Sequence, residues 1–272
     1  MNTLISVEEL ISLDNPKVFD CRHALSDENY GRSAYEHAHI PGAVFVDLDK
    51  DLSSEVVPGK TGRHPLPLAE EFEASLQQWG LENDQQVVAY DDANGAFAAR
   101  LWWMLRWAGH ANVAVLDGGF NAWRDSGQVV TDGVTEQQIS AFTSKPALTC
   151  DIQADELPLY AGLITDARDL ARFNGESEPI DPIAGHIPNA RCLPFTSNLT
   201  RSQHFKSVAE LQQQFEDFGV PGDSSTVCYC GSGVTAAHNI LALVHAGYPE
   251  PTLYPGSWSE WITDPNRPVA TL

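Results

Sequence analysis

The sequence predicts an α/β protein made of two tandem copies of one domain, each a central parallel sheet flanked by helices. Two observations predict it. Blocks of sequence occur twice in the same order, and within each copy short apolar runs alternate with amphipathic segments. A chain of 272 residues is long enough for two domains of ordinary size.

The duplication is visible in paired segments. KVFDCRH is answered by LITDARD, AHIPGAVF by GHIPNARC, and VLDGGFNAW by LYPGSWSEW. The period is about half the chain, which indicates a duplicated domain rather than an array of short repeats. We predict a first domain at residues 1–128, a polar linker at 129–156 and a second domain at 157–272.

The elements of each copy follow from their residue patterns. The runs QQVVAYD and STVCYC are rich in β-branched and aromatic residues, which is typical of buried parallel strands. AEEFEASLQQWG and AELQQQFEDFG carry apolar residues at three- and four-residue spacing and end at glycine, as amphipathic helices do. Each strand is followed by a loop, an apolar helix and another strand. This βαβ order predicts a parallel sheet.

Composition limits the partners. The formal net charge of −21 repels nucleic acids and anionic membrane surfaces, so we expect neither as a partner. An anionic small-molecule substrate would need a local group of arginines. The first residues contain no basic region and no unbroken apolar run, so we expect no signal peptide and a cytoplasmic protein.

Cysteine usage predicts neither a disulfide framework nor a metal site. The chain has five cysteines, an odd number, and no pair of C-x-x-C clusters. Two of them have alanine as repeat partner and are predicted to be packing positions: Cys21, opposite Ala167, and Cys228, opposite Ala89. We expect no metal and no organic cofactor.

Cys230 differs from the other cysteines because it lies between a predicted strand and a glycine-containing loop. Ligands in open α/β sheets bind where strands end and helices begin. Gly231 and Gly233 would let the loop curl, and the helix beginning near Val234 would direct its free N–H groups at the sulfur. A thiolate is stabilised in such a place. The first copy has Asp91 at this position, so we expect that copy to be catalytically inactive.

The loop CGSGVTA, the HIPGA and HIPNA segments and the closing GSWSEW resemble the tandem rhodanese sulfurtransferases, and among them the mercaptopyruvate branch. The resemblance covers nearly the whole chain. It implies a persulfide on Cys230, formed from 3-mercaptopyruvate and passed to cyanide or a thiol acceptor such as thioredoxin. It also implies that Asp49 and His64 pair with Ser232 in an Asp–His–Ser chain. The remaining residues assigned to substrate binding are Arg172, Gly231, Gly233, Val234 and Thr235.

The chain departs from the family at one position. The family has a second arginine nine residues after the first, and here that residue is Asp181. The sequence does not choose among three possible substitutes, which are Arg168, Arg191 and Arg201.

Two other functions are alternatives, and a third is disfavoured by the sequence. The first alternative is a thiosulfate:cyanide sulfurtransferase, which stays possible because the second arginine of the family is absent here. A non-catalytic persulfide carrier or redox sensor is the second. A phosphatase or arsenate reductase would need C-x5-R, and the position that follows x5 is Ala236.

Overall fold

The computed structural model describes residues 3–272 and divides into two compact units. The first contains the described residues up to Ser54 together with Pro67–Leu148, and the second contains Glu55–Leu66 and Thr149–Leu272. The predicted α/β class, with two parallel sheets flanked by helices, is confirmed.

The first unit has a five-stranded sheet in the order β1-β5-β4-β2-β3, with every neighbouring pair parallel. Its strands are β1 (Leu4–Ile5), β2 (Lys17–Asp20), β3 (Val44–Phe45), β4 (Val87–Tyr90) and β5 (Val113–Leu116). Its helices are α1 (Val7–Ser12), α2 (Tyr30–His37), α3 (Ala69–Gln78), α4 (Ala98–Trp107) and α5 (Gly119–Asp125).

The second unit has a four-stranded parallel sheet in the order β7-β6-β8-β9. Its strands are β6 (Leu163–Asp166), β7 (Arg191–Cys192), β8 (Thr226–Tyr229) and β9 (Thr252–Leu253). Its helices are α6 (Leu170–Asn174), α7 (Val208–Phe218), α8 (Thr235–His245) and α9 (Ser257–Trp261), with 3₁₀ turns at Leu157–Leu159 and Phe195–Asn198.

The central strands β4 and β8 are buried at all four of their residues, as the apolar runs predict. The amphipathic helix α7 is capped at one end by Ser207 and stops at Gly219, whose φ is +80°. Helix α8 is buried from Ala236 to Leu243, and this stretch is apolar except for His238 and Asn239. These packed elements fix the carboxyl end of β8, where Cys230 lies.

The unit boundary differs from the linker placed at residues 129–156. The main chain of Thr131 pairs with His39, and the N–H of Ser140 donates to the carbonyl of Gln77, so this segment belongs to the first unit up to Leu148. From Cys150 the chain runs beside β9, where the N–H of Ile152 donates to the carbonyl of Leu253. The polar composition hid these contacts because they involve main-chain groups.

A second difference concerns Glu55–Leu66, which the repeat pattern assigns to the first domain. The structure groups this segment with the second unit. The main-chain N–H of Arg63 donates to Oγ of Ser259, and a Cβ added at Gly62 would meet the carbonyl of Gly256 at 2.6 Å. The close approach of two backbones explains why glycine is required at residue 62.

Candidate active site

Cys230 follows β8 directly and its main chain is fixed on both sides. Its N–H donates to Oγ of Ser257 at 3.0 Å, and its carbonyl accepts the N–H of Trp258 at 2.9 Å. The residue is 2% exposed. The carboxyl end of β8 and the start of α9 therefore hold Cys230 in one position.

Ser257 adopts a backbone conformation that serine rarely uses. Its φ is +55°, in the left-handed region, and its repeat partner in the first unit is Gly119 with a φ of +57°. The Ser257 hydroxyl donates to the carbonyl of Tyr254 while it accepts from Cys230. Serine is therefore less suited than glycine to this backbone conformation, but its hydroxyl provides an acceptor for the N–H of Cys230.

The two glycines of the loop have different roles. Gly233 has a φ of +77°, and a Cβ there would lie 2.3 Å from the carbonyl oxygen of Pro255. Gly231 is not in the left-handed region. A Cβ on Gly231 would instead lie 2.8 Å from Nη2 of Arg63. The curl expected of both glycines belongs to Gly233, and Gly231 is needed to admit a guanidinium group.

The corresponding loop in the first unit is an anion cradle filled by a side chain. Asp91 occupies the repeat position of Cys230 and is fully buried. Its carboxylate accepts four main-chain N–H groups at 2.8–2.9 Å, from Ala93, Gly95, Phe97 and Ala98. Burial raises the pKa of Asp91 and these N–H donors lower it, with burial the larger effect. The loop following the central strand of this fold can therefore collect N–H groups around one anion.

The second unit has the equivalent N–H groups, but Cys230 replaces Asp91 and provides no carboxylate for them. By the repeat, the four positions are Ser232, Gly233, Thr235 and Ala236. No acceptor within residues 3–272 is paired with the main-chain N–H of Ser232, Thr235 or Ala236. Thr235 and Ala236 begin α8, so the positive end of the helix also lies at this loop. The loop is suited to receive an anion.

Ser232 and His64 are brought together, although 168 positions separate them in the chain. Nδ1 of His64 lies 2.7 Å from Oγ of Ser232, and both side chains are buried. His64 belongs to the Glu55–Leu66 segment of the second unit. The hydroxyl beside Cys230 is therefore hydrogen-bonded to an imidazole that can accept or donate a proton.

Arg172 also reaches the loop, and acidic side chains hold it. Its Nε donates to Glu178 at 2.9 Å, its Nη2 pairs with Asp181 at 3.2 Å, and Nη2 lies 3.5 Å from the position of a Cβ on Gly231. Burial raises the pKa of Glu178, but hydrogen bonds from Arg172 and from two main-chain N–H groups outweigh it and hold the pKa below its ordinary value. Glu178 therefore remains ionised beside Arg172.

Arg63 is the site residue that the sequence interpretation missed. Its Nη1 pairs with Oδ1 of Asp181, and its Nη2 is the nearest atom to the Cβ position of Gly231. At the position where the resemblance led us to expect a second arginine, Asp181 instead pairs with the guanidinium group of residue 63. The sequence signal was its place beside His64 in GRHPLP.

The three arginines considered as substitutes lie elsewhere. Arg168 is 3% exposed and donates to Asp166, Glu178 and the carbonyl of Gly185. Arg191 lies over the ring of Phe218 at 4.2 Å. Arg201 lies in an exposed turn.

The remaining predicted residues are placed as follows. Val234 is buried at the residue before α8, and Thr235 is the first residue of the helix and half-buried. Asp49 lies in the first unit, in an exposed turn after β3, where its N–H donates to Oδ1 of Asp47.

Three cysteines have pKa values above that of an ordinary thiol. Burial raises the pKa of Cys228 to about 12 and, together with Asp166, the pKa of Cys192 to about 12. Burial and nearby carboxylates also raise the pKa of Cys21 well above its usual value. These three therefore remain neutral thiols near pH 7, which makes them poor nucleophiles.

Within residues 3–272 no group of three or more histidine, cysteine or acidic side chains is arranged to hold a metal ion. No helix in the same residues is long and apolar enough to cross a membrane.

Comparison with known families matches the Rhodanese-like domain twice, at residues 3–126 and 152–264. Among curated relatives, a Pseudomonas aeruginosa protein named "Probable 3-mercaptopyruvate sulfurtransferase" is 51% identical over 261 residues, covering 93% of this chain and 92% of that protein. A Gallus gallus protein named "Thiosulfate sulfurtransferase" is 35% identical, covering 90% of this chain and 86% of that protein. The two names leave the sulfur donor to be argued from the site.

A solved structure gives the same result for the fold. The 3-mercaptopyruvate sulfurtransferase from Leishmania major superposes with a TM-score of 0.87 at 35% sequence identity. The match covers 96% of this chain and 74% of that one. The similarity extends through both units, in agreement with the two family matches.

Proposed function

The chain belongs to the rhodanese family of tandem-domain sulfurtransferases, and from this premise we propose that it transfers sulfur from 3-mercaptopyruvate through a persulfide on Cys230. The observation that carries the proposal is the loop after β8. It presents a cysteine, unpaired main-chain N–H groups and two guanidinium groups at one place. The outer sulfur of a persulfide anion is an acceptor for such N–H groups.

The first half-reaction is nucleophilic attack by the thiolate of Cys230 on the sulfur of 3-mercaptopyruvate. The S–S bond forms as the C–S bond breaks, and the electron pair leaves on carbon as the enolate of pyruvate. A proton taken up at that carbon gives pyruvate. Cys230 is oxidised to the persulfide and the carbon is reduced, so no external oxidant is needed.

In the second half-reaction an acceptor attacks the outer sulfur. A thiol such as that of reduced thioredoxin takes it as a new persulfide, and cyanide takes it as thiocyanate. Either acceptor restores the thiolate of Cys230. We place the reaction in the cytoplasm, where thiol acceptors are kept reduced.

The His64–Ser232 pair is proposed to handle the proton of the first half-reaction, and the part that the resemblance assigns to Asp49 stays a prediction. The support for the pair is the 2.7 Å contact between Nδ1 and Oγ, next to Cys230 in the chain. An imidazole acting through a hydroxyl can deliver a proton to the developing enolate. Gly231, Gly233, Val234 and Thr235 are proposed to line the donor site.

Mercaptopyruvate is favoured over thiosulfate by the loop itself. The residues after Cys230 are neutral, GSGVT, and Arg63 and Arg172 share the two carboxylates Glu178 and Asp181. A site balanced in this way suits a singly charged keto acid better than a dianion. The first unit is proposed to be catalytically inactive, since Asp91 offers no sulfur there.

Mass spectrometry of the intact protein tests the proposal. After incubation with 3-mercaptopyruvate the chain should gain one sulfur atom, and the gain should be absent in Cys230→Ser and kept in Cys21→Ser. His64→Ala should keep the mass gain and lower turnover. A sulfur that remains in Cys230→Ser contradicts the mechanism, and a clear preference for thiosulfate in steady-state rates contradicts the donor.

A further inference from the structure

Two buried arginines, Arg22 and Arg168, each hold a carboxylate through one edge of the guanidinium group. Nε of Arg22 donates to Oδ1 of Asp20 at 3.0 Å, and Nη2 donates to Oδ2 at 2.6 Å. Arg168 grips Asp166 through the same two atoms, at 3.1 and 2.7 Å. This Nε–Nη2 edge matches a carboxylate with two parallel hydrogen bonds.

At the Cys230 loop the two arginines differ in whether this edge is occupied. Arg172 has both atoms of its edge on Glu178, with Nε at 3.0 Å and Nη2 at 2.9 Å from Oε1. Arg63 pairs with Asp181 only through Nη1. Within residues 3–272 no acceptor is paired with Nε or Nη2 of Arg63, and the Nε atom is buried.

A buried donor without an acceptor is costly, so the unpaired edge of Arg63 marks a position where a ligand atom would be stabilising. The edge lies beside the reacting loop, because Nη2 is 2.8 Å from the Cβ position of Gly231, the residue after Cys230. Any side chain at residue 231 would occupy that space.

Asp181 fixes this geometry. Its side chain is 4% exposed and uses one oxygen for Nη1 of Arg63 and the other for Nη2 of Arg172. An acidic residue where the family has its second arginine therefore does not repel the substrate. Asp181 binds Nη1 of Arg63 and leaves the Nε–Nη2 edge available for two parallel hydrogen bonds.

We propose that Arg63 supplies the bidentate grip on the carboxylate of the sulfur donor, with Asp181 as the positioning residue that holds it and Arg172 as a secondary cation. The proposal rests on the proposed function for the identity of the donor. It assigns the carboxylate site to a residue of the Glu55–Leu66 segment, outside the family's usual pair of positions.

Alkylation of Cys230 tests the recognition step without turnover. Iodoacetate carries a carboxylate, and iodoacetamide has the same leaving group with no charge. In Arg63→Ala the ratio of the Cys230 alkylation rates, iodoacetate over iodoacetamide, should fall about tenfold or more, since a charge-assisted bidentate contact is lost. Arg63→Lys, which keeps the charge and loses the paired donors, should give an intermediate ratio.

Arg191→Ala is the matched control, because this arginine of the same unit packs on Phe218 rather than on the loop. Its ratio should equal that of the unaltered protein. An unchanged ratio in Arg63→Ala overturns the proposal. Equal slowing of both reagents overturns it as well, since that would show an effect on Cys230 rather than on the carboxylate.

Steady-state kinetics with 3-mercaptopyruvate provide the second measurement. Arg63→Ala should raise KM by about tenfold or more with a smaller change in kcat, as expected when ground-state binding is lost. A fall in kcat with KM unchanged contradicts the assignment. If the unaltered protein forms no persulfide from mercaptopyruvate, the proposed function fails, and the alkylation ratio still decides the role of Arg63.

Discussion

Ser257 accepts a hydrogen bond from the main chain of Cys230, and its own backbone has an unfavourable conformation. A left-handed φ costs a non-glycine residue about 1 kcal/mol or more, and Ser257 is fully buried at +55°. Its Oγ is the acceptor for the N–H of Cys230. The hydrogen bond therefore offsets the strain, and the two effects can be separated by substitution.

We expect Ser257→Ala to be more damaging than Ser257→Gly. Alanine keeps the strain and leaves the buried N–H of Cys230 without its acceptor, which should lower the free energy of unfolding by about 1–3 kcal/mol. Glycine also loses the acceptor but releases the strain, so its cost should be smaller by about 1 kcal/mol. Denaturant unfolding of both variants measures the difference.

A substitution at the equivalent position of the first unit provides a control. Gly119 occupies the equivalent position at a φ of +57°, and a Cβ there would lie 2.1 Å from the carbonyl oxygen of Asp91. Gly119→Ala should therefore destabilise the protein more than Ser257→Ala. Equal stabilities of Ser257→Ala and Ser257→Gly would show that the backbone at residue 257 carries no strain.

Features formed by consecutive residues could be predicted from the sequence. Contacts between residues far apart in the chain could not. Cys230 was identified because a strand, a cysteine and a glycine loop are consecutive in the chain. The contact of Arg63 with Asp181 spans 118 positions, and nothing in either segment points to the other. His64 was identified only through the family resemblance, for the same reason.

At the scale of elements, the same strand–loop–helix arrangement occurs in both units, and the residue that begins the loop differs between them. In the first unit the loop between β4 and α4 surrounds the carboxylate of Asp91 with four N–H groups. In the second the loop between β8 and α8 begins with Cys230. The first loop is filled by its own side chain, which supports the proposal that the first copy is catalytically inactive.

Asp91→Ala should therefore destabilise the protein and leave sulfur transfer intact. Four N–H donors, two buried and two partly buried, lose their acceptor, and we expect the free energy of unfolding to fall by about 2–4 kcal/mol. The chain should still gain one sulfur per molecule at Cys230, by intact mass. Denaturant unfolding measures the first effect.

Asp92→Ala is the matched control for this loop. Asp92 is half-buried and accepts from the hydroxyl of Tyr30, so its loss should cost less than about 1.5 kcal/mol. A stability of Asp91→Ala close to that of Asp92→Ala would contradict the structural role given to the cradle. Loss of persulfide formation in Asp91→Ala would contradict the proposal that the first copy is inactive.

Elements with a strong period were predicted closely, whereas segments held by main-chain contacts were not. The glycine-ended helices became α3 and α7, and the buried runs became β4 and β8. The polar segment at 129–156 reads as a linker because its contacts, such as the pairing of Thr131 with His39, use backbone atoms that the side-chain pattern does not encode.

At the scale of the whole molecule, the charge opposes the proposed substrate. The net charge of −21 creates a field that repels a keto-acid anion before it reaches the site. Near Cys230 the charges are close to balanced, because Arg63 and Arg172 pair with Asp181 and Glu178, and the Nε–Nη2 edge of Arg63 is left to attract a carboxylate at short range. Long-range repulsion and short-range attraction respond differently to salt.

We therefore expect kcat/KM for 3-mercaptopyruvate to rise as ionic strength is increased from about 10 mM to about 150 mM. The Debye length falls from about 30 Å to about 8 Å over this range, which screens the distant acidic surface more than contacts within the site. The rate of Cys230 alkylation by neutral iodoacetamide serves as the control and should stay constant. A fall in kcat/KM with salt would show instead that the arginines attract the donor over distances beyond the site, and that the net charge has little influence on its approach.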